Sequence, residues 1–467
     1  MREEHKHKEQ KELIKRFEAF LKNLENNYFD EDSFIQIINY YNVHNKLNQA
    51  IRAANIALRQ MPYSVDITIE KTDVLIKQNQ SNDALALLDE TLTIHPNDPE
   101  LLLQKGAIHY LISQYEEAIS AYANALANVE DKDEVYFNMG MAYQGLGRYM
   151  DAEKKKKKAI EINMLNEHAL YELAYCLDVS GELESSLSYY QKFIDQDPYS
   201  EYAWYNLGIV YDKLSKYEEA IDAYEYAVAI NEDFSSAWFN MGNAQMNLGY
   251  HDKALVAYLK TLDLEGASSE TYCHIGAVYE KLSRNDLAIK YYQKATKLDQ
   301  MCHEAWYGIG TCLVIQDKWY EAVHFFNKAL KLDAENGLYW KAVADAEYET
   351  GNLISSVEAY RKASEMDAEN PSVWLNWSIV YYEQGDYDQA INILEAGLGE
   401  CPDNAEMYYR GVVYLIGSGN YKHAINQLET ALMLDFEGHQ VLFDFFSNLP
   451  TQKALYRIIN QFREDNQ

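Results

Sequence analysis

Apolar and polar residues alternate along this chain with two interlocked periods. Over short stretches the apolar positions fall at i, i+3, i+4 and i+7, the spacing that gathers them on one stripe of an α-helix. Over longer stretches the whole pattern returns every 34 residues. Trp204-x-x-Leu207-Gly208-x-x-Tyr211 is followed by Ala220-x-x-x-Tyr224-x-x-Ala227, and Trp238-x-x-Met241-Gly242 by Ala254-x-x-x-Tyr258. The frame runs forward through Tyr272, Trp306, Trp340 and Trp374, and back through Leu170, Tyr136, Leu102, Thr68 and Phe34. With Glu31 as position 1, units begin at 31, 65, 99, 133, 167, 201, 235, 269, 303, 337 and 371, and a twelfth at about 404. The pattern predicts an all-α chain of helix pairs.

Each recurring residue type has a packing reason. Position 8 is small (Gly106, Gly140, Gly208, Gly242, Gly276, Gly310), which predicts a helix backbone passing close by. Position 20 is alanine in most units, with the same implication. Position 24 is aromatic in seven units, from Tyr122 to Tyr360, and is expected to fill the gap to the next unit. Pro62, Pro96, Pro198 and Pro402 at position 32 end second helices, whereas Pro99 and Pro371 sit at position 1, where a helix tolerates a missing N–H. One such unit cannot bury its own stripe, so neighbours must stack.

This register resembles the tetratricopeptide repeat family, whose unit reads W-x-x-L-G-x-x-Y, then A-x-x-x-F, then P. The resemblance implies a right-handed superhelical solenoid with a concave groove, a scaffold for other proteins rather than an enzyme. It divides the chain into an N-terminal tail and capping helix (1–30), a repeat array (31–438) and C-terminal capping helices with a tail (439–467). Leu13, Ile14, Phe17, Phe20, Leu21 and Leu24 make the apolar stripe of the first cap. Val441, Leu442, Phe445 and Phe446, then Ala454, Leu455, Ile458, Ile459 and Phe462 beyond the break at Pro450-Thr451, make the second. A partner or dimer patch at Phe443, Phe445 and Phe446 is the alternative reading there.

Two units look irregular. In the twelfth, Gly411 and Tyr414 lie 33 residues after Ser378 and Tyr381, which predicts one residue lost before the first helix and one gained in the turn at Ile416–Asn420. In the fourth, Lys156 holds the aromatic position 24 within the run Lys154–Lys158, which predicts an aliphatic stem in the gap, an ammonium in water and looser packing.

Charge narrows the partners. Acidic residues number 73 against 41 basic, a net charge of −32. Such a surface repels nucleic-acid phosphate and anionic lipid and would steer a basic segment toward it. There is no run of about 18 apolar residues, so membrane insertion is not expected. The charged start, Met1 to His7, lacks an apolar core and does not read as a secretory signal. The five cysteines are odd in number and widely spaced, without C-x-x-C, which fits a reducing cytoplasm better than a disulfide framework or zinc site. No cofactor or metal is implied. His303-Glu304 lacks the second histidine of a zinc-protease helix, and Gly308-x-Gly310 lies in a helix and lacks the third glycine of a dinucleotide loop.

In the family that the register resembles, positions 2, 5, 6, 9, 12 and 13 of the first helix line the groove. Carried over, position 6 gives Asn138, Asn206, Asn240 and Asn376, a partial asparagine ladder able to donate to and accept from a peptide backbone, with His274 in the same place. Position 5 gives Tyr171, Tyr205, Phe239 and Tyr307, and position 9 adds Asn243. These residues are the candidate peptide-binding set, centred on units 4 to 8. The two-carboxylate clamp of one family subset is incomplete, because Asp345 stands where an asparagine is required between Lys341 and Asn376, and Arg410 falls only near its required place. The expected function is a cytoplasmic scaffold holding an extended peptide segment. The alternative is a structural subunit that assembles, or self-associates, through convex faces or end caps.

Overall fold

A computed structural model describes residues 2–22, 28–445 and 449–465. Among them there is no strand, and helices follow one another in pairs with short turns. First helices begin at Glu31, Val65, Pro99, Lys132, Glu167, Glu201, Ser235, Ser269, His303, Gly337, Pro371 and Ala405, within a residue of the starts expected from the pattern. Packing divides the chain into two compact units, Met1–Ala237 and Trp238–Gln467, and the division falls inside the first helix of repeat 7.

Two local devices set the register. The last residue of a repeat caps the first helix of the next: the side chains of Asp30, Ser64, Asp98, Asn166, Ser200, Ser268 and Asn404 each accept the backbone N–H three residues on. Position 15, between the two helices of a repeat, is left-handed in all twelve pairs. It is Asn45, Asn79, Ser113, Ser215, Ser283 and Asp317 in six, and glycine in the other six. Glycine adopts that conformation without the Cβ penalty that the others bear.

The small residue at position 8 answers to a ring rather than to a backbone. A Cβ on Gly208 would lie 2.5 Å from the Tyr224 ring, and one on Gly276 would lie 2.7 Å from the Tyr292 ring. Position 24 thus lies flat on position 8 of its own repeat, and it also reaches the next one, since a Cβ on Gly308 would meet Tyr292 at 2.4 Å.

Both irregular units depart from expectation. Lys156 is fully buried instead of reaching water. Its ammonium donates to Gln144 Oε1, to the Glu172 backbone oxygen and Oε2, each 3.2 Å away, and approaches Cys176 Sγ at 3.4 Å. The stem fills the place of a ring, and the charge is held by a carboxylate and two further acceptors, which makes burial tolerable. The twelfth repeat loses and gains nothing. Its first helix starts at Ala405, 34 residues after Pro371, and its left-handed Gly419 lies 34 after Gly385. Gly411 simply falls at position 7, against Gln427, while Tyr414 takes the buried position 10 and bonds Ser378.

At the chain's start, a helix over Arg2–Leu21 packs Ile14 and Phe17 against Phe29, Phe34 and Tyr41. At the other end, helices at Val441–Phe445 and Leu449–Asp465 bury Leu442, Leu455 and Ile459. Phe443 stacks on Tyr456, and Phe445 meets Tyr382 and the Arg410 guanidinium. Leu24 and Phe446 lie outside the described residues.

Candidate functional site

The first helices of repeats 8 (Ser269–Lys281) and 9 (His303–Ile315) border an open cleft of about 850 Å³. Its lining from the first helix of repeat 8 includes Glu270, Cys273, His274, Ala277, Glu280 and Lys281, positions 2, 5, 6, 9, 12 and 13, and the end of that repeat adds Asp299, Met301 and Cys302. Repeat 9 adds Glu304, Tyr307 and Gly308, and Tyr292 forms part of the floor. The other unit holds a cleft of about 700 Å³ between the first helices of repeats 3 and 4. It is lined in the same register by Glu100, Leu103, Gln104, Ala107, Glu134 and Asn138.

The cleft of repeats 8 and 9 is aromatic beneath and acidic at its mouth. Tyr292 donates to Glu280 Oε2 at 2.9 Å, and its burial pushes the phenol well above its ordinary range. Tyr307 rests on Phe326 and stacks on Tyr339 at 4.8 Å. Glu270 and Glu304 are exposed at the rim. Burial lowers the pKa of His274 even though both of those carboxylates pull it upward, so the imidazole is held neutral. A basic or aromatic side chain would find carboxylates, ring faces and a neutral imidazole there.

The residues expected from sequence fall into three groups. His274 and Tyr307 line the larger cleft and Asn138 the smaller. A second group is engaged in packing between neighbouring helices. Tyr205 lies on Tyr224 and on Phe234, Phe239 on Tyr258 and His274, and Asn243 accepts from the Tyr258 hydroxyl at 2.6 Å. Asn376 donates to Asp345 Oδ1 at 3.0 Å, and Asp345 also holds Lys341 at 2.7 Å and the Tyr360 hydroxyl at 2.6 Å. The third group stands apart from both clefts: Tyr171 is half exposed, and Asn206 and Asn240 are half-buried on their first helices.

What the sequence reading missed is a pair of thiols. Cys273 at position 5 and Cys302 at position 34 of repeat 8 both stand on the wall of the larger cleft, and the Cys302 thiol donates to Glu304 Oε2 at 3.7 Å. The signal was present in the register, since position 34 is otherwise mostly a polar cap and position 5 mostly a ring. Among the described residues, no group of three or more His, Cys, Asp or Glu is placed to hold a metal ion. Nor is any helix there long and apolar enough to cross a membrane.

The tetratricopeptide repeat sequence pattern matches residues 70–133 and 137–201, 201–234 and 269–302, 235–267 and 303–336, and 348–411. These segments make up well over half of the chain. The chain belongs to the tetratricopeptide repeat family. It is similar to the BBSome complex member BBS4 homolog of Drosophila melanogaster, at 25% identity over 33% of this chain and 32% of that protein. It is also similar to the general transcriptional corepressor ssn6 of Schizosaccharomyces pombe, at 27% identity over 27% of this chain and 12% of that protein. The matched region is thus about a third of the first relative's length and about an eighth of the second's. Among solved structures, the APC/C hetero-tetramer Cut9–Hcn1 aligns with a TM-score of 0.42 and 14% identity, over 88% of this chain and 98% of that one. MamA aligns with a TM-score of 0.32 and 28% identity, over 35% and 95%. Tetratricopeptide repeats generally serve as scaffolds for protein–protein interaction and are typically non-catalytic.

Proposed function

We propose that this tetratricopeptide repeat protein holds an extended segment of a partner protein against its first helices, with the cleft of repeats 8 and 9 as the principal seat. The observation that carries the reading is the lining of that cleft by positions 2, 5, 6, 9, 12 and 13 of repeat 8 and positions 2, 5 and 6 of repeat 9. Its exposed Glu270 and Glu304, in a chain of net charge −32, favour a lysine- or arginine-bearing segment. Its rings favour an aliphatic or cationic side chain next to that charge. The test is a fluorescence-polarisation panel of extended basic, neutral and acidic peptides, with the intact chain and with Glu270→Lys/Glu304→Lys. Both carboxylates are exposed, so the fold should survive their reversal. The intact chain should prefer the basic peptides by about tenfold, and the variant should lose that preference. Equal binding by both proteins would move the site elsewhere.

A second reading, assembly through the C-terminal end, rests on a different surface. Tyr421 and Ile425 on the second helix of repeat 12 stand partly exposed beside an apolar cleft of about 400 Å³ shared with Ala454, Leu455 and Ile458. Light scattering over a concentration series decides it, because a strict monomer at every concentration discards self-association by this face.

A further inference from the structure

Repeats 8 and 9 carry a second recess, opposite in charge to the first. It measures about 590 Å³ and is lined by residues of the second helices Asn285–Leu298 and Trp319–Leu332 and by Trp306. Lys297, Lys328, Lys331 and Phe325 are among them, and no carboxylate stands among its described lining residues. It shares no residue with the acidic cleft of the same two repeats, whose lining includes Glu270, Glu280, Asp299 and Glu304. A chain of net charge −32 would not be expected to gather such a face by composition alone. We propose that this lysine-lined recess is a second docking surface, which takes a short acidic segment of a partner protein.

The repeat register shows what was given up to build it. Position 26 is lysine in repeats 4, 5, 7, 8, 9 and 10. In repeats 4, 5, 7 and 10, position 29 is a carboxylate: Glu161, Asp195, Asp263 and Glu365. Residues three apart are neighbours on a helix, so this carboxylate is placed to compensate the lysine. In repeat 10 the two do meet, Lys362 with Glu365 at 2.8 Å. Repeats 8 and 9 have Lys297 and Lys331 at that position instead, three residues after Lys294 and Lys328. Like charges at this spacing cost helix stability. The two repeats with the exchange are consecutive, and both contribute lysines to one recess.

Its rings hold a cation without neutralising it. The Lys328 ammonium lies 4.1 Å from the Trp306 ring centroid and 5.3 Å from that of Phe325. Those rings stack with centroids 5.9 Å apart, and the Trp306 indole N–H donates to the Gln300 backbone oxygen at 3.0 Å. An ammonium resting on ring faces keeps its charge and N–H groups for an incoming carboxylate. Repeat 6 fills the same frame otherwise. Tyr226 takes the position of Lys328 and stacks on Trp204 at 4.3 Å, while Asp195 and Ala229 hold the positions of Lys297 and Lys331.

A short segment suits this face better than a whole acidic body. Charges beyond about 8 Å are screened at physiological salt, so a few carboxylates in the recess meet mainly its lysines. A second copy of this chain, or a nucleic-acid duplex, would bring all its negative charge against a surface that is acidic elsewhere. That surround also keeps the affinity for an acidic segment below that of the acidic cleft for a basic one. The inference goes beyond the binding reading of the first cleft and does not depend on it.

The test uses the full chain in fluorescence polarisation with a labelled peptide whose glutamates flank a leucine pair, and with the same peptide carrying glutamines. The intact chain should bind the glutamate peptide at least about tenfold more tightly, and added salt should erase the difference. Lys297→Glu with Lys331→Glu should lose that preference while melting no earlier than the parent, because each new carboxylate lies three residues after a lysine. Lys11→Glu with Lys132→Glu changes the net charge equally at two exposed positions outside repeats 8 and 9, and should keep the preference. The proposal is overturned if the first variant binds the glutamate peptide as the intact chain does, or if both variants lose it alike. Light scattering that shows a dimer lost only in the first variant would give the face to a second copy. A short DNA duplex that binds there more tightly than the peptide would give it to phosphate, and either result overturns the acidic segment. Glu270 and Glu304 are untouched throughout, so failure here leaves the reading of the first cleft standing.

Discussion

Repeats 6 and 8 share a frame and fill it differently. In repeat 6, Tyr205 rests on Tyr224 and Phe234, so the space beside its first helix is occupied by rings. In repeat 8, two small thiols stand at the same positions, and a cleft of about 850 Å³ opens beside them. The backbones of the two repeats follow one register, with first helices at Glu201–Lys213 and Ser269–Lys281 and left-handed turns at Ser215 and Ser283. The cleft therefore opens beside two small side chains without any different fold of the chain. A repeat array can place a binding recess in one unit without disturbing the stacking of its neighbours.

Emptying the filled repeat should give the largest effect. Tyr205→Cys with Phe234→Cys removes two half-buried rings, at roughly 2 kcal/mol each, so about 4 kcal/mol of local stability should be lost. Hydrogen exchange of the repeat 6 helices measures it, and protection unchanged from the parent would show that the rings carry no packing. The reciprocal change, Cys273→Tyr with Cys302→Phe, fills the recess. It should weaken a basic peptide by about tenfold, near 1.4 kcal/mol, while raising the melting temperature. Titration of the double variant decides this, and undiminished binding would place the ligand outside the cleft.

Smaller effects test whether the shared backbone is truly equivalent. Ser215→Gly and Ser283→Gly each relieve one left-handed serine and should stabilise by about 1 kcal/mol, equally in both repeats. Unequal gains in urea titrations would mean that the two turns differ in ways that their dihedral angles do not reveal. The smallest effect concerns His274, for which repeat 6 has Asn206. The folded pKa of His274 is lowered, so the unfolded chain binds its proton more readily. Its contribution is fully present above the unfolded value, about 6.5, and is lost as pH falls below it. His274→Gln should therefore melt less differently from pH 7.5 to about pH 5.5 than the parent, and an identical pH response would show that His274 is not the group involved.

The residues that made the register legible are those whose type is dictated by contact within one repeat. Gly208 under Tyr224 and Gly276 under Tyr292 recur because a Cβ would strike the ring, so their spacing announced the helix pairs. Lys156 broke the pattern and was misread, because its carboxylate partner, Glu172, belongs to the following repeat. The candidate site was legible in its positions and not in its place. Positions 2, 5, 6, 9, 12 and 13 do line clefts, yet asparagine at one of them says nothing about its neighbour. Asn376 looks like the other rungs in sequence, and only the fold shows its amide given to Asp345. The two cysteines of the cleft were invisible for the same reason: Cys273 and Cys302 are far apart in the chain, and only the fold puts both on one wall.

The caps at the ends of repeats reach beyond local stability. Most first helices begin on a side chain that belongs to the preceding 34 residues, as Ser268 serves Thr271 and Asn404 serves Met407. The sequence unit and the cooperative unit are therefore out of phase by one residue. A segment such as 269–302, excised and grafted into another array, would leave its own cap, Ser268, behind and bring Cys302, which makes no cap bond, to the helix that follows. Inheritance in such an array passes downstream, so a duplicated repeat changes its successor as well as itself.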